Sequence, residues 1–161
     1  MMAVQRVPEG YHTVTPYLAV DDASAAIDFY QRAFGAKERV RMPGPGDTIM
    51  HAELEIGDSL VMLADPFPQA STRTPKDLGG TSVNLFVYVE DIDALYKRAI
   101  DAGASSLMEP DDMFWGDRFG SVQDPFGHSW TIATHIEDVS PEELEKRSKA
   151  WMEQMAAMAT S

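Results

Sequence analysis

Four histidines are the side chains of this sequence best suited to binding a metal ion: His12, His51, His128 and His135. His51 and Glu53 are two residues apart on a predicted strand, so both side chains leave the same face and could offer two ligands to a divalent cation. The other face of that strand is apolar and carries Met50, Ala52, Leu54 and Ile56. This alternation favours a simpler interpretation, in which His51 and Glu53 lie on a solvated face.

The remaining histidines occupy positions that favour structural roles. We expect His12 at the surface, His128 in local hydrogen bonds after the DPFG turn at 124–127, and His135 at the end of a strand. The chain has no cysteine, which excludes disulfides, thiolate metal sites and a cysteine nucleophile. It also lacks a phosphate-binding glycine loop and a G-x-S-x-G motif. The sequence therefore identifies no catalytic residue and leaves open whether the protein is an enzyme.

Trp115 and Arg118 form a second group that could contact a ligand. An arginine beside aromatic side chains can clamp a carboxylate or phosphate, or stack on a planar ring. The alternative is a structural arginine paired with Asp117, Asp124 or another acid of this acidic chain.

The charge balance limits the possible partners. The chain of 161 residues has 13 lysines and arginines against 26 acidic residues, a net charge of −13. This charge argues against a nucleic-acid partner, since phosphate would be repelled, and against anionic membranes. No apolar run approaches the roughly 20 residues of a membrane-spanning helix, and the first ten residues do not resemble a signal peptide. We expect a cytoplasmic protein.

Strand and helix patterns indicate an α+β domain over residues 11–138, made of two tandem β-α-β-β-β units at about 11–65 and 81–136. The first unit predicts strands at 11–20, 37–42, 48–56 and 59–64, with a helix that starts after Asp21-Asp22 and ends at Gly35. After a loop at 65–80 the second unit predicts strands at 82–89, near 105–108, at 114–123 and at 129–135, with a helix that ends at Gly103.

Residues 139–161 predict a C-terminal helix and tail. The helix starts at Ser140-Pro141 and carries an apolar stripe of Leu144, Trp151, Met152, Met155 and Met158. Such a stripe needs cover, either from its own domain or from a sister chain. We predict a homodimer.

Several segments carry a family resemblance, namely 20–22 (VDD), 26–30 (AIDFY), 34–36 (FGA) and 124–130 (DPFGHSW). Together with the duplicated unit, they resemble the vicinal oxygen chelate superfamily, which includes glyoxalase, bleomycin resistance proteins and extradiol dioxygenases. Residues 115–120 (WGDRFG) with Thr134-His135 are similar to a glyoxalase-like branch related to a phosphonate-operon protein. The resemblance implies that each unit forms a half-barrel and that the units build a cup.

The resemblance also implies positions for metal ligands in that cup. They fall on Thr15, Asn84, Thr131 and either Val61 or Met62, none of which is a customary ligand of a divalent cation. We therefore expect no cofactor. The alternative is a divalent metal held by a relocated set, His51, Glu53, His128 and His135, in a metal-dependent lyase, isomerase or dioxygenase.

Strand alternation predicts an apolar, aromatic lining for the cup, typical of a small-molecule pocket. Leu18, Val20, Leu85, Val87 and Val89 are expected on the opposite faces, under the helices. The predicted function is the binding of a small, partly aromatic molecule, without metal. The predicted ligand-binding residues are Thr15, Tyr17, Met62, Asn84, Phe86, Tyr88, Trp115, Arg118 and Thr131.

Overall fold

Two four-stranded sheets and four helices make up the fold, as seen in a computed structural model that describes residues 4–69 and 71–159. The first unit contains β1 (Tyr17–Ala19), α1 (Ala23–Phe34), β2 (Lys37–Pro43), β3 (Ile49–Ile56) and β4 (Ser59–Ala64). The short helix α2 (Pro75–Leu78) follows. The second unit contains β5 (Asn84–Tyr88), α3 (Ile92–Ala102), β6 (Ser105–Asp112), β7 (Asp117–Gln123) and β8 (Ser129–His135), before α4 (Pro141–Ala159).

The helices of the two units begin and end in the same way. The side chain of Asp22 accepts a hydrogen bond from the backbone N–H of Ala25 at the start of α1, and Asp91 does the same for Ala94 at the start of α3. Each helix then ends at a glycine in the left-handed region, Gly35 in α1 and Gly103 in α3. Identical caps at equivalent positions confirm the predicted duplication.

Both sheets have the same strand arrangement. Their orders are β1-β4-β3-β2 and β5-β8-β7-β6, with the first strand of each unit parallel to the last and the other pairs antiparallel. Tyr17 lies opposite Met62 in the first sheet, and Phe86 lies opposite Thr131 in the second. The predicted α+β architecture of two tandem β-α-β-β-β units with a C-terminal helix is therefore confirmed.

One hydrophobic core spans both units. This core fills the space between each sheet and the helices α1 and α3. These two helices also pack on each other. The rings of Tyr30 and Phe34, on α1, contact the indole of Trp130 on β8. Because the core lies on the helix side of each sheet, the alternate strand residues point to the other side. We call these sides the first open face, which includes Tyr17, and the second open face, which includes Phe86.

Several element boundaries differ from the sequence prediction. The first strand of each unit is shorter than predicted, and β7 starts at Asp117 because the chain turns at Gly116. β6 continues beyond 108 to Asp112, through a bulge opposite β7. The segment predicted as loop contains α2, which a capping box between Thr74 and Asp77 stabilises; residue 70 of that segment lies outside the described part.

The C-terminal helix α4 makes few contacts with the rest of the domain. These contacts include the ring of Trp151 against that of Phe114, and Arg147, which forms an ion pair with Glu137 and donates to the backbone carbonyl of Phe114. None of its described residues is buried, so its apolar stripe lies largely in the open. The tail at 160–161 lies outside the described residues. Among the described helices, none has the length and apolarity required to cross a membrane.

Candidate functional site

A groove of about 990 Å³ is lined by residues of both units. One wall consists of the segment before β1 and the β3–β4 hairpin, and the other consists of β5 and α3. Three predicted ligand residues line it, Thr15, Phe86 and Tyr88. Its volume lies at the upper end of the range typical of small-molecule pockets, roughly 300–1,000 Å³.

Aromatic rings extend from this groove across the second open face. The ring of Phe86 contacts those of Tyr88 and Phe119, at centroid distances of 5.0 and 5.9 Å. Trp115 packs edge-on against Phe119 at 5.6 Å. Phe86 and Tyr88 remain 47% and 64% exposed, so this face presents apolar surface that nothing in the described chain covers. The sequence predicted Phe86, Tyr88 and Trp115 as neighbours, and the structure brings them together.

A buried carboxyl group orients these aromatic residues. Asp117 is only 4% exposed. One of its oxygens accepts hydrogen bonds from the hydroxyl of Tyr88 and the indole N–H of Trp115, both at 3.1 Å. The other lies 2.8 Å from Nδ1 of His135, whose Nε2 lies 2.9 Å from Asp138. His135 thus has the structural role expected at the end of its strand.

The ion pairs of His135 predict a pH-dependent contribution to stability. Asp138 and Asp117 raise the pKa of His135 above its ordinary value of 6.5. A raised folded-state pKa gives stabilisation that is complete below about pH 6.5 and is lost as the pH rises through the folded-state value. We expect His135→Gln to remove part of the decline in unfolding free energy from about pH 6 to about pH 8. Urea denaturation over this range measures it, and identical pH profiles for the two proteins would contradict the assignment.

The first open face carries a chain of polar side chains. The hydroxyl of Tyr17 lies 3.1 Å from Nδ1 of His51, and Nε2 of His51 lies 3.2 Å from a carboxylate oxygen of Glu53. The sequence favoured a solvated face for His51 and Glu53. Both are instead mostly shielded, with side-chain exposures of 23% and 18%. We call Tyr17, His51 and Glu53 the Tyr-His-Glu chain.

Two further residues influence the carboxylate of Glu53. The hydroxyl of Tyr11, the contact with His51 and the cation of Arg39 keep the pKa of Glu53 below its ordinary value. Burial and the neighbouring Glu53 raise the pKa of Tyr11 to about 12. Burial also raises the pKa of Tyr17. At neutral pH the Tyr-His-Glu chain therefore contains an ionised carboxylate on Glu53 and a protonated phenol on Tyr17, and the phenol of Tyr11 beside it is protonated as well.

The residues at the family's metal-ligand positions do not fit a divalent cation. They offer two hydroxyl groups, one amide and either an alkyl group or a thioether, and no carboxylate or imidazole. Thr131 is buried, and the side-chain amide of Asn84 donates to its hydroxyl, so these two groups satisfy each other. Met62 lies opposite Tyr17 on the first open face.

The proposed relocated ligand set is not assembled either. Nε2 of His128 donates to the backbone carbonyl of Ala19 at 2.9 Å, and His135 is paired with its two aspartates on the second open face. Within residues 4–69 and 71–159, no group of three or more His, Cys, Asp or Glu side chains is placed to hold a metal ion. His51 and Glu53 remain together, whereas His128 and His135 do not join them.

Arg118 does not join the aromatic group. Its guanidinium forms hydrogen bonds with Asp93 on α3 and with Asp112 on β6, at 2.8–2.9 Å. Arg118 directly follows Asp117 on β7, so its side chain points to the opposite face, which is the helix side of the sheet. The structure thus supports the alternative of a structural arginine, with acids other than those the sequence suggested by name.

The Tyr-His-Glu chain and the role of Asp117 do not follow from the sequence. The spacing of His51 and Glu53 predicts that they are neighbours, but Tyr17 lies 34 residues away along the chain and becomes a neighbour only through the sheet. The sequence suggests Asp117 only as an ion-pair partner. The WGD sequence at 115–117 carried a signal, since an indole N–H and a carboxylate two residues apart can bond across a glycine turn.

Comparison with known proteins agrees with this architecture. The model of the Glyoxalase/Bleomycin resistance protein/Dioxygenase superfamily matches residues 11–132. An uncharacterised protein of Mycobacterium bovis is 44% identical over 135 residues, which cover 82% of this chain and 89% of that protein. The crystal structure of TioX from Micromonospora sp. ML1 is 30% identical, with a TM-score of 0.63 and coverage of 78% of this chain and 99% of that one.

The relation to a phosphonate-operon protein stays a prediction. A structure described as a putative 3-demethylubiquinone-9 3-methyltransferase, PhnB protein, from Bacillus cereus is 21% identical, with a TM-score of 0.58 and coverage of 76% of this chain and 99% of that one. A likeness at this identity shows a shared fold alone. The family match and the duplicated unit are specific, and the chain belongs to the glyoxalase/bleomycin resistance protein/dioxygenase superfamily.

Proposed function

We propose that this protein binds a small, partly aromatic molecule in the groove between its units and on the adjoining second open face, without a metal ion. The observation that carries the proposal is the groove of about 990 Å³, one wall of which presents the exposed rings of Phe86 and Tyr88. Rings held this way offer a large contact area at low entropic cost, because each side chain has few rotatable bonds.

The polar groups around the groove support a ligand of mixed character. Thr15, His12 and Asp58 line one wall, and Glu90 and Arg98 line the other. A few polar groups among apolar ones are typical of sites that orient a small molecule. The donor set at the family's ligand positions suits hydrogen bonding rather than metal binding, which favours binding or carriage over metal-dependent chemistry.

A thermal-shift screen of aromatic metabolites and natural products tests the proposal. A ligand present at about 100 times its Kd should add about 2.7 kcal/mol to the unfolding free energy. For a domain of this size, this gain corresponds to an increase in Tm of roughly 5–10 °C. The absence of any stabilising compound in a broad library would contradict the proposal.

Truncation of a groove residue shows whether a compound found in the screen occupies the proposed site. Phe86→Ala removes the ring at the centre of the aromatic group, and we expect it to weaken binding about 10-fold or more by calorimetry. The matched control is Leu107→Ala on β6, which is similarly exposed but does not line the groove. Equal affinities of the two variants would place the ligand elsewhere.

We also propose that the protein forms a homodimer. Exposed apolar residues occur on both open faces and along α4, among them Tyr17, Tyr88, Trp151 and Met155. Exposed apolar side chains in this number favour a protein–protein contact that covers them. Sedimentation at micromolar concentration should give about twice the chain mass of 17.8 kDa, and a monomer mass would refute the proposal.

A further inference from the structure

We propose that the Tyr-His-Glu chain is an acid–base site that accepts the proton of an acidic hydroxyl group, a phenol or enol, on the bound molecule. This inference rests on the proposed binding of a small aromatic molecule and specifies its chemical class. It requires that the bound molecule extend from the groove, past Thr15 and Pro16, to Tyr17 at the edge of the first open face. Tyr17 is the group that contacts the ligand. His51 and Glu53 act through Tyr17 as positioning residues.

The hydrogen-bond directions follow from the carboxylate. Glu53 is an acceptor at neutral pH, so Nε2 of His51, 3.2 Å away, must carry the proton that it receives. In a neutral imidazole the other nitrogen is then an acceptor, so Nδ1 receives the O–H of Tyr17 at 3.1 Å. The hydroxyl of Tyr17 thus donates its proton to His51. The lone pairs of the Tyr17 oxygen are therefore available to accept a hydrogen bond from a ligand.

The position of Tyr17 makes this oxygen accessible. Tyr17 is 51% exposed, and it follows directly on Thr15 and Pro16, which line the groove. Its ring lies against the imidazole of His51, with centroids 5.6 Å apart. The side chains of His51 and Glu53 are only 23% and 18% exposed, so Tyr17 is the most exposed member of the Tyr-His-Glu chain.

Because the oxygen of Tyr17 accepts a hydrogen bond, it favours a ligand whose hydroxyl group donates one. The proton of the ligand hydroxyl moves to the oxygen of Tyr17 while the proton of Tyr17 moves to Nδ1 of His51. The products are a ligand oxyanion, a neutral Tyr17 and an imidazolium paired with Glu53, so atoms and charge balance. The net charge of −13 disfavours a ligand that arrives as an anion, whereas a neutral hydroxyl that ionises on binding avoids this repulsion.

The surroundings stabilise the imidazolium that this step produces. Glu53 supplies the opposite charge directly, and the shielding of the pair strengthens their attraction relative to water. The other charged or titratable groups that act on Glu53 are Tyr11 and Arg39. Tyr11 contributes most to the lowered pKa of Glu53 and Arg39 contributes less, and both favour the ionised acceptor on which the direction of the whole chain depends.

The test uses 4-nitrophenol, a chromogenic phenol whose ionised form absorbs visible light. With the wild-type protein in excess, we expect the bound probe to be about 10-fold more ionised than the free probe at the same pH, a decrease of about one unit in its apparent pKa. Tyr17→Phe should abolish the shift, since it removes the accepting oxygen. Glu53→Gln should reduce it, because the imidazolium loses its counter-charge.

The matched control is Tyr96→Phe, which removes a hydroxyl bonded to Ser106 on the helix side, away from the groove. This variant should keep the full shift. In ¹⁵N-labelled protein, the probe should also move the Nδ1 resonance of His51 towards that of a protonated imidazole. If Tyr17 had only a structural role, the probe would leave the Nδ1 resonance of His51 unchanged.

The possible outcomes separate this inference from the proposed function. If 4-nitrophenol binds with its free-solution ionisation, or if the shift persists in Tyr17→Phe, the acid–base site is wrong while small-molecule binding stands. If the probe does not bind, the acid–base site is also wrong, and the library screen decides on the proposed function independently.

Discussion

Asp124→Ala should destabilise the fold by about 4 kcal/mol and lower Tm by roughly 10 °C. One oxygen of this buried carboxyl accepts the hydroxyl of Tyr30 at 2.6 Å and the indole N–H of Trp130 at 2.9 Å. The other accepts the backbone N–H groups of Phe126 and His128. Removal of the carboxyl leaves buried donors without partners, and each unsatisfied donor costs about 1–3 kcal/mol. Urea denaturation measures the loss.

Two variants show whether the loss comes from this network. Tyr30→Phe removes one donor together with its bond, so we expect a smaller loss of about 1–2 kcal/mol. Asp101→Ala removes an exposed carboxyl that forms a surface ion pair with Lys97, so it should cost less than about 0.5 kcal/mol. If Asp124→Ala cost no more than Asp101→Ala, the assigned role of Asp124 would be wrong.

Gly116→Ala should cost about 3 kcal/mol and reduce ligand binding as well. Gly116 has φ +100°, a conformation that residues with a side chain rarely adopt. A Cβ at this position would also collide with the backbone carbonyl of Glu137 and press on the side chain of Val139. Relief of the collision must move the turn that carries Trp115 and Asp117, and hence the aromatic group. Denaturation and calorimetry with a screened ligand measure the two effects.

Gly57→Ala is the control that shows how much of the loss in Gly116→Ala comes from backbone strain and how much from the collision with Glu137. Gly57 has φ +60° in the β3–β4 turn, and an added Cβ would meet nothing within 4 Å. This control should cost only about 1 kcal/mol, the usual penalty of the left-handed conformation. Equal losses of unfolding free energy in Gly116→Ala and Gly57→Ala would be evidence against the collision.

The elements were predictable because local rules repeat in both units. Asp22 and Asp91 cap their helices, Gly35 and Gly103 end them, and alternation along the strands separates buried from open positions. The short helix α2 was missed because its capping box occupies four residues within a segment rich in proline and glycine. β1 is shorter than its β-branched pattern suggested because only Tyr17–Ala19 finds a partner strand.

The candidate site was only partly predictable, since it depends on which strands are neighbours. The aromatic character of Phe86 and Tyr88 on one strand face follows from alternation alone. The roles of Asp117 and His51 do not, because their partners come from other strands at large sequence separation. The pairing of Arg118 with Asp93 likewise required the position of α3 against the second sheet.

The sequence by itself determined the duplicated α+β unit and its helix caps, since these depend on residue type and short-range periodicity. Only the tertiary structure decided that His51 would contact Tyr17, that Asp117 would bond to Tyr88 and Trp115, and that both units would line one groove. The physical reason is that hydrogen bonds act over about 3 Å, and sequence separation does not tell which side chains the sheets bring within that distance.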